Sequence, residues 1–139
     1  MSGDVRYYEA TDKEKSVLVE KLRTLVSREE RILVAFVYGG FTRRKFFRDI
    51  DLAVYTGGTV LDYLHFESRL CNKMSKIIGV YIDVRIIDDA PAWFRLKVAR
   101  EGLLIYEKLP GAYTLFIKET VGDYQDLKIK QSLIKSRSI

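Results

Sequence analysis

A small mixed β-sheet with helices packed on one face is the α/β fold that this sequence predicts, on three observations. Hydrophobic periodicity reads along the chain as helix, strand, strand, helix, strand, helix, strand, helix. The first two strands are joined by residues 39–48, which carry no helical pattern, so they pair antiparallel or within a mixed sheet rather than through a helical crossover. The chain has 139 residues, 47% hydrophobic and 31% charged, which suits one globular domain with an ordinary core and excludes a disordered chain.

The elements follow in order. Thr11-Asp12-Lys13-Glu14 has the form of a capping box, in which the Thr11 hydroxyl accepts from the amide three residues on and Glu14 reaches back. Leu18, Leu22, Leu25 and Val26 then recur at helical spacing, and the helix ends near Arg28. Ile32 to Tyr38 is too short and too β-branched for a helix and is a buried strand, stopped by Gly39-Gly40. Asp49 to Tyr55 is the second strand, ended by Gly57-Gly58. From about Val60 to Ile78, the residues Leu61, Leu64, Cys71, Met74 and Ile78 mark the inner face of a second helix, with Gly79 at a C-cap position. Val80 to Ile87 is the third strand; Pro91 suits the first turn of a short helix running to Arg100, with Gly102 beyond it. Leu103 to Tyr106 is a fourth strand, and Tyr113, Phe116, Ile117, Tyr124 and Leu127 mark the buried face of a last helix before a basic end. With no repeat or linker to divide it, residues 1–139 read as a single domain, with a core at about 11–108 and a C-terminal helix at about 112–130.

Composition excludes some functions and leaves others open. The longest apolar runs are far too short to cross a bilayer, and no basic segment followed by an apolar stretch marks a secretory signal. The one cysteine, Cys71, supports neither an internal disulfide nor a structural zinc site. A cytoplasmic location is expected. A net charge of +5 and a pI of about 9.3 suit phosphate-bearing ligands without identifying one; nucleic acid is the weaker reading of that balance. Asn and Gln are confined to Asn72, Gln125 and Gln131 while Lys, Arg and Glu abound, a pattern shared with heat-adapted proteins.

Strand parity carries the chemistry. Alternate side chains of a strand point to opposite faces. On the second strand Ile50, Leu52 and Val54 form one face, and Asp49, Asp51 and Ala53 the other. On the third, apolar Val80, Ile82, Val84 and Ile86 alternate with Tyr81, Asp83 and Arg85. If the two strands are neighbours, Asp49, Asp51 and Asp83 share one side of the sheet. Clustered carboxylates repel and need a cation or a proton; hard oxygen donors favour Mg²⁺ or Mn²⁺. The plain alternative is an exposed, solvated sheet face, but Asp is poorly suited to strands. Upstream, Gly39-Gly40 lets the backbone approach a ligand and present amides to phosphate. The loop after it carries Arg43, Arg44, Lys45 and Arg48, either a solvated hairpin tip or a phosphate grip.

Together, Tyr38-Gly39-Gly40-Phe41-Thr42-Arg43 followed by Arg48-Asp49-Ile50-Asp51-Leu52-Ala53-Val54 resembles the nucleotidyltransferase superfamily that includes DNA polymerase beta. More narrowly it is similar to the minimal nucleotidyltransferases, single short domains often paired with HEPN proteins as antitoxins of toxin–antitoxin systems. The resemblance covers roughly residues 11 to 108. It implies the nucleotidyltransferase fold, with Asp49, Asp51 and Asp83 binding Mg²⁺ or Mn²⁺ and Asp83 accepting a proton. Gly39 and Gly40 would face the β- and γ-phosphates of a nucleoside triphosphate, with Arg43 assisting. The implied reaction is transfer of a nucleoside monophosphate, AMP from ATP, to a hydroxyl, the acceptor being a tyrosine of a HEPN partner. One departure is Gly40, where the family places a serine, so a hydroxyl hydrogen bond is missing. A weak or inactive antitoxin that neutralises a HEPN partner by binding alone is therefore the alternative. Assembly with further copies of itself stays open.

Other conspicuous residues read as packing or solvation. His65 lies beside the apolar stripe of the second helix, Trp93 and Phe94 suit core or interface anchors, and Tyr7-Tyr8 pack across the first helix. Lys128, Lys130, Lys135 and Arg137 form a solvated basic end.

Overall fold

The computed structural model describes residues 7–137. In chain order it contains β1 (Tyr8–Glu9), α1 (Asp12–Ser27), β2 (Val34–Tyr38), α2 (Gly40–Arg43), β3 (Phe46–Phe47), β4 (Ile50–Tyr55), α3 (Tyr63–Ile78), β5 (Ile82–Ile86), α4 (Ala92–Glu101), β6 (Leu103–Glu107) and α5 (Ala112–Arg137). The main sheet has the order β5-β4-β2-β6, and β1 and β3 form a separate two-stranded ribbon. β2 runs antiparallel to both β4 and β6. β4 and β5 are parallel, and α3 is the crossover between them. The mixed sheet and its major elements are those expected from the sequence.

The capping box opens α1 as read: Thr11 N donates to Glu14 Oε1 at 3.0 Å and Glu14 N to Thr11 Oγ1 at 3.1 Å. Val19, Leu22, Leu25 and Val26 bury against the sheet, with Leu18 only half in. α3 differs from the expectation. Its N-cap is Asp62, whose side chain accepts from His65 N at 3.0 Å, so the helix starts at Tyr63. Leu61 precedes it and is fully exposed, Leu64 is also exposed, and the buried stripe is Phe66, Leu70 and Met74. Leu61 falls before the Asp62 cap and so takes no part in the helix face, whereas Cys71, Met74 and Ile78 do pack on the core as expected.

One apolar layer joins α1 and α3 to Ala35, Val37, Ile50, Leu52, Val54, Ile82, Val84 and Ile86. Helices were expected on one face only; α4 and α5 also cover part of the other, where Val98 and Phe116 pack on Val34, Phe36, Ala53 and Tyr55. β2 explains this. Both parities of Val34–Val37 are fully buried, and a strand apolar on both sides needs both faces covered. Arg95 fixes α4 to α5: its Nη2 donates to Asp123 Oδ2 at 2.9 Å, and its Nε donates to Ala90 O at 2.9 Å.

α5 continues past the expected end near residue 130, since nothing between Tyr124 and Lys135 breaks a helix. Leu127, expected on its buried face, is exposed. The side chain of Arg137 lies outside those described. Among the described residues no helix is long and apolar enough to cross a membrane.

Candidate active site

The second face of the sheet is covered only at one end, and the open end carries the carboxylates. Asp51 shares parity with Ala53 and Tyr55, which lie under α5, but stands at the opposite end of β4. Across the sheet Asp51 is in register with Tyr38 on β2 and with Asp83 on β5. Residues directly opposite one another on paired strands, antiparallel or parallel, point to the same face, so Tyr38, Asp51 and Asp83 form one row. Asp49 precedes β4 with the parity of Asp51, and Arg85 follows Asp83 by one pleat, its Nε 3.5 Å from Asp83 Oδ2.

The electrostatics bear out the clustering. The carboxyl of Asp51 is pushed up from 3.8 to about 6, by burial first and then by Asp49 and Asp83, with Arg85 pulling the other way. Burial, then the charge of Asp51, pushes the Tyr38 hydroxyl up to about 12, so Tyr38 stays protonated at neutral pH. The charges of Asp49 and Asp83 thus both act on Asp51. Among the described residues no group of three His, Cys, Asp or Glu side chains stands as a ready-made metal cage. Three part-buried carboxylates that repel one another nonetheless suit a hard divalent cation, because Mg²⁺ takes one or two carboxylates and fills its remaining positions with water and substrate phosphate oxygens.

The raised pKa of Asp51 carries a stability consequence. The fold favours protonated Asp51, so this contribution is fully present below pH 4, where the unfolded carboxyl is protonated too, and is lost as pH rises through about 6. In metal-free protein, Asp51→Asn is expected to melt above wild type at pH 8 and level with it at pH 4. Thermal melts in chelator at both values check this, and a variant that melts lower at pH 8 would contradict it.

The glycine turn abuts this row. Gly39 has φ +80°, ψ −153°, and a Cβ placed on it would stand 2.4 Å from Asp51 Oδ2. Only glycine lets the backbone come this close to the carboxylate. The basic loop expected next is instead the helical turn α2 followed by β3. Lys15 reaches across from α1 to hold it, its Nζ donating to Phe41 O at 2.6 Å and also to Arg44 O. Thr42 Oγ1 donates back to Gly39 O at 2.8 Å. Arg43 is exposed and pairs loosely with Glu101 of α4 at 3.9 Å.

Gly39, Asp49, Asp51 and Asp83 are thus brought together, with Gly40 and Arg43 on the adjoining turn. Tyr38 and Arg85 were not singled out by the sequence reading, although the parity that selects Asp51 and Asp83 puts both on the same face. Trp93 is exposed beside Phe94, which packs edge-on against Tyr38 at 5.9 Å. His65 is exposed on α3.

The structure thus sets a row of carboxylates on a mixed sheet beside a tight glycine turn. The family model for polymerase beta nucleotidyltransferases matches residues 20–110, and the chain belongs to that family. No curated protein sequence is similar enough to count as a relative. Among solved structures, the chain is similar to the Shewanella oneidensis complex of a tri-AMPylated HEPN toxin with an MNT antitoxin, at 20% identity and TM-score 0.66, covering 88% of this chain and 96% of that one. It is also similar to the toxin–antitoxin MntA–HepT, at 20% identity and TM-score 0.65, over 87% and 96%, and to a toxin–antitoxin structure with AMP-PNP, at 20% and 0.63, over 91% and 97%. At this identity the likeness is one of fold.

Proposed function

We propose that this nucleotidyltransferase-family domain is a cytoplasmic, metal-dependent enzyme that transfers AMP from ATP to a hydroxyl, the acceptor being a tyrosine of a HEPN partner. The observation that carries the reading is the Tyr38–Asp51–Asp83 row set against the Gly39 turn. Fold-level neighbours that include an AMPylated HEPN toxin and an AMP-PNP complex support the choice of nucleotide and acceptor.

Asp49, Asp51 and Asp83 would hold Mg²⁺ or Mn²⁺, replacing mutual repulsion with attraction. When bound, such ions neutralise phosphate oxygens and acidify an attacking hydroxyl. The backbone amides of the Gly39-Gly40 turn and the Arg43 guanidinium would face the β- and γ-phosphates, orienting the α-phosphorus toward the carboxylate row. The acceptor oxygen bonds to that phosphorus and its proton passes to a carboxylate oxygen of Asp83. The bond to the β-phosphate oxygen breaks and pyrophosphate leaves. Arg85, ion-paired to Asp83, holds that carboxylate in place. Labelled-ATP transfer to a HEPN partner in the presence of Mg²⁺ tests the reading, and absence of labelled product sinks it.

Gly40 favours a second reading, in which the domain neutralises its partner by binding alone. The turn lacks the hydroxyl that a serine there would supply. A Cβ on Gly40 meets nothing within 4 Å and its backbone is helical, so a serine fits. Under the enzymatic reading Gly40→Ser is expected to raise the transfer rate about fivefold, the effect of one hydrogen bond of ~1 kcal/mol in the transition state. Initial rates of labelling measure it. A rate unchanged or lower says that the hydroxyl has no phosphate oxygen to reach.

A further inference from the structure

α4 brings a second cation to the glycine turn. A cavity of about 150 Å³ opens beside Gly39, lined on one side by Thr42 and Arg43 and on the other by Phe94, Lys97 and Glu101 of α4. Phe94 anchors this end of α4 by its edge-on contact with Tyr38, and buried Val98 fixes the helix face. The side chains spaced one turn apart, Phe94, Lys97 and Glu101, are thereby aimed along the cavity. Glu101 stands four residues after Lys97, a spacing that suits an ion pair within the helix. Its carboxylate instead reaches across to Arg43 Nη1 at 3.9 Å. Among the described residues Lys97 has no acceptor for its ammonium group.

We propose that Lys97 and Arg43 together grip the β- and γ-phosphates of the nucleotide, and that Glu101 holds Arg43 until the nucleotide arrives. The inference rests on the nucleotidyl-transfer reading and adds a specificity residue to it. Both partners of the Arg43–Glu101 pair are largely exposed, 60% and 43% for their side chains, so it contributes little by itself and exchanges readily for a phosphate. Lys97 suits the remaining oxygens as a point charge on a flexible stem, able to follow the terminal phosphate. AMP has neither β- nor γ-phosphate and engages neither cation. The pair therefore selects triphosphate over monophosphate.

The test is calorimetric binding of a non-hydrolysable ATP analogue and of AMP, both with Mn²⁺, to wild type, Lys97→Gln, Lys97→Arg and Glu101→Gln, with circular dichroism melts as a fold control. Lys97→Gln is expected to weaken the analogue about tenfold, the loss of one charge-assisted contact, and to leave AMP unchanged. Lys97→Arg is expected to restore most of the affinity, and Glu101→Gln to tighten the analogue by freeing Arg43. Wild type that binds the analogue while Lys97→Gln binds it equally overturns this inference and leaves the nucleotidyl-transfer reading intact. A loss on AMP as large as on the analogue overturns it as well, as does Lys97→Arg as weak as Lys97→Gln. Wild type that binds no analogue overturns both.

Discussion

Replacing Asp49 and Asp51 together by alanine is expected to lower AMP transfer by at least about a thousandfold, since removing even one group that stabilises transition-state charge costs a hundred- to thousandfold. The same substitution is expected to leave the fold intact and, in chelator above pH 7, to raise the melting temperature. Both effects have one cause. Asp51 is pushed up to about 6 by burial, Asp49 and Asp83, so the metal-free fold carries ionised carboxylates that it would hold more comfortably protonated. Removing two of the three relieves that repulsion and abolishes the reason for it. Ligand-linked stabilisation separates this from a merely more rigid protein. Binding to the folded state alone stabilises by about 2.7 kcal/mol at a hundredfold excess over Kd. Wild type is therefore expected to melt higher in Mn²⁺ with the ATP analogue, while the double variant melts alike with and without them. Equal labelling by wild type and double variant would remove the enzymatic claim. A double variant that still binds and silences a HEPN protein would favour the binding reading.

What made this site legible in sequence is the shortest-range rule of β-structure. Alternation alone placed Asp49 and Asp51 opposite Ile50 and Leu52, and Asp83 opposite Ile82 and Val84. Because β4 and β5 are parallel and in register, one pleat of error would have sent Asp83 to the buried face. The apolar neighbours Ile82 and Val84 exclude that error from the sequence alone. Chain-distant information was not legible in the same way. The insertion of β2 between β4 and β6 depends on which edges meet, and no local pattern encodes it. The uninterrupted apolar run of β2 did hold the information that both faces are covered, yet it reads equally as one strongly buried strand. Arg95 shows the limit most plainly. Its charge predicts exposure, and only the meeting of α4 with α5 supplies the Asp123 carboxylate that allows its burial. Lys97, one helical turn after the half-buried Phe94, was unreadable for the matching reason: its importance lies in facing Arg43 across a cavity, and a helix face in sequence does not reveal what it faces.

Gly39→Ala is expected to be the most damaging single substitution in the site, and its cost has two parts that can be told apart. The backbone at φ +80°, ψ −153° lies in a region open essentially to glycine alone, so any side chain there costs about 1–3 kcal/mol, or a few degrees in melting temperature for each kcal/mol in a domain of this size. The second part is a collision: the new methyl would stand 2.4 Å from Asp51 Oδ2. That atom is the end of a side chain and can swing away, so relief comes by rotating Asp51 out of the row it shares with Asp83. Stability thus falls moderately while transfer falls by at least about a hundredfold, because about one ångström of misplacement at a reacting centre has that effect. A double-mutant cycle resolves the two parts. In an Asp51→Ala background the collision has no partner, so Gly39→Ala should destabilise less than it does in wild type, leaving the backbone strain alone. If its cost is the same in both backgrounds, Asp51 does not lie against the turn in solution, and the packing of glycine on carboxylate that organises this site is absent.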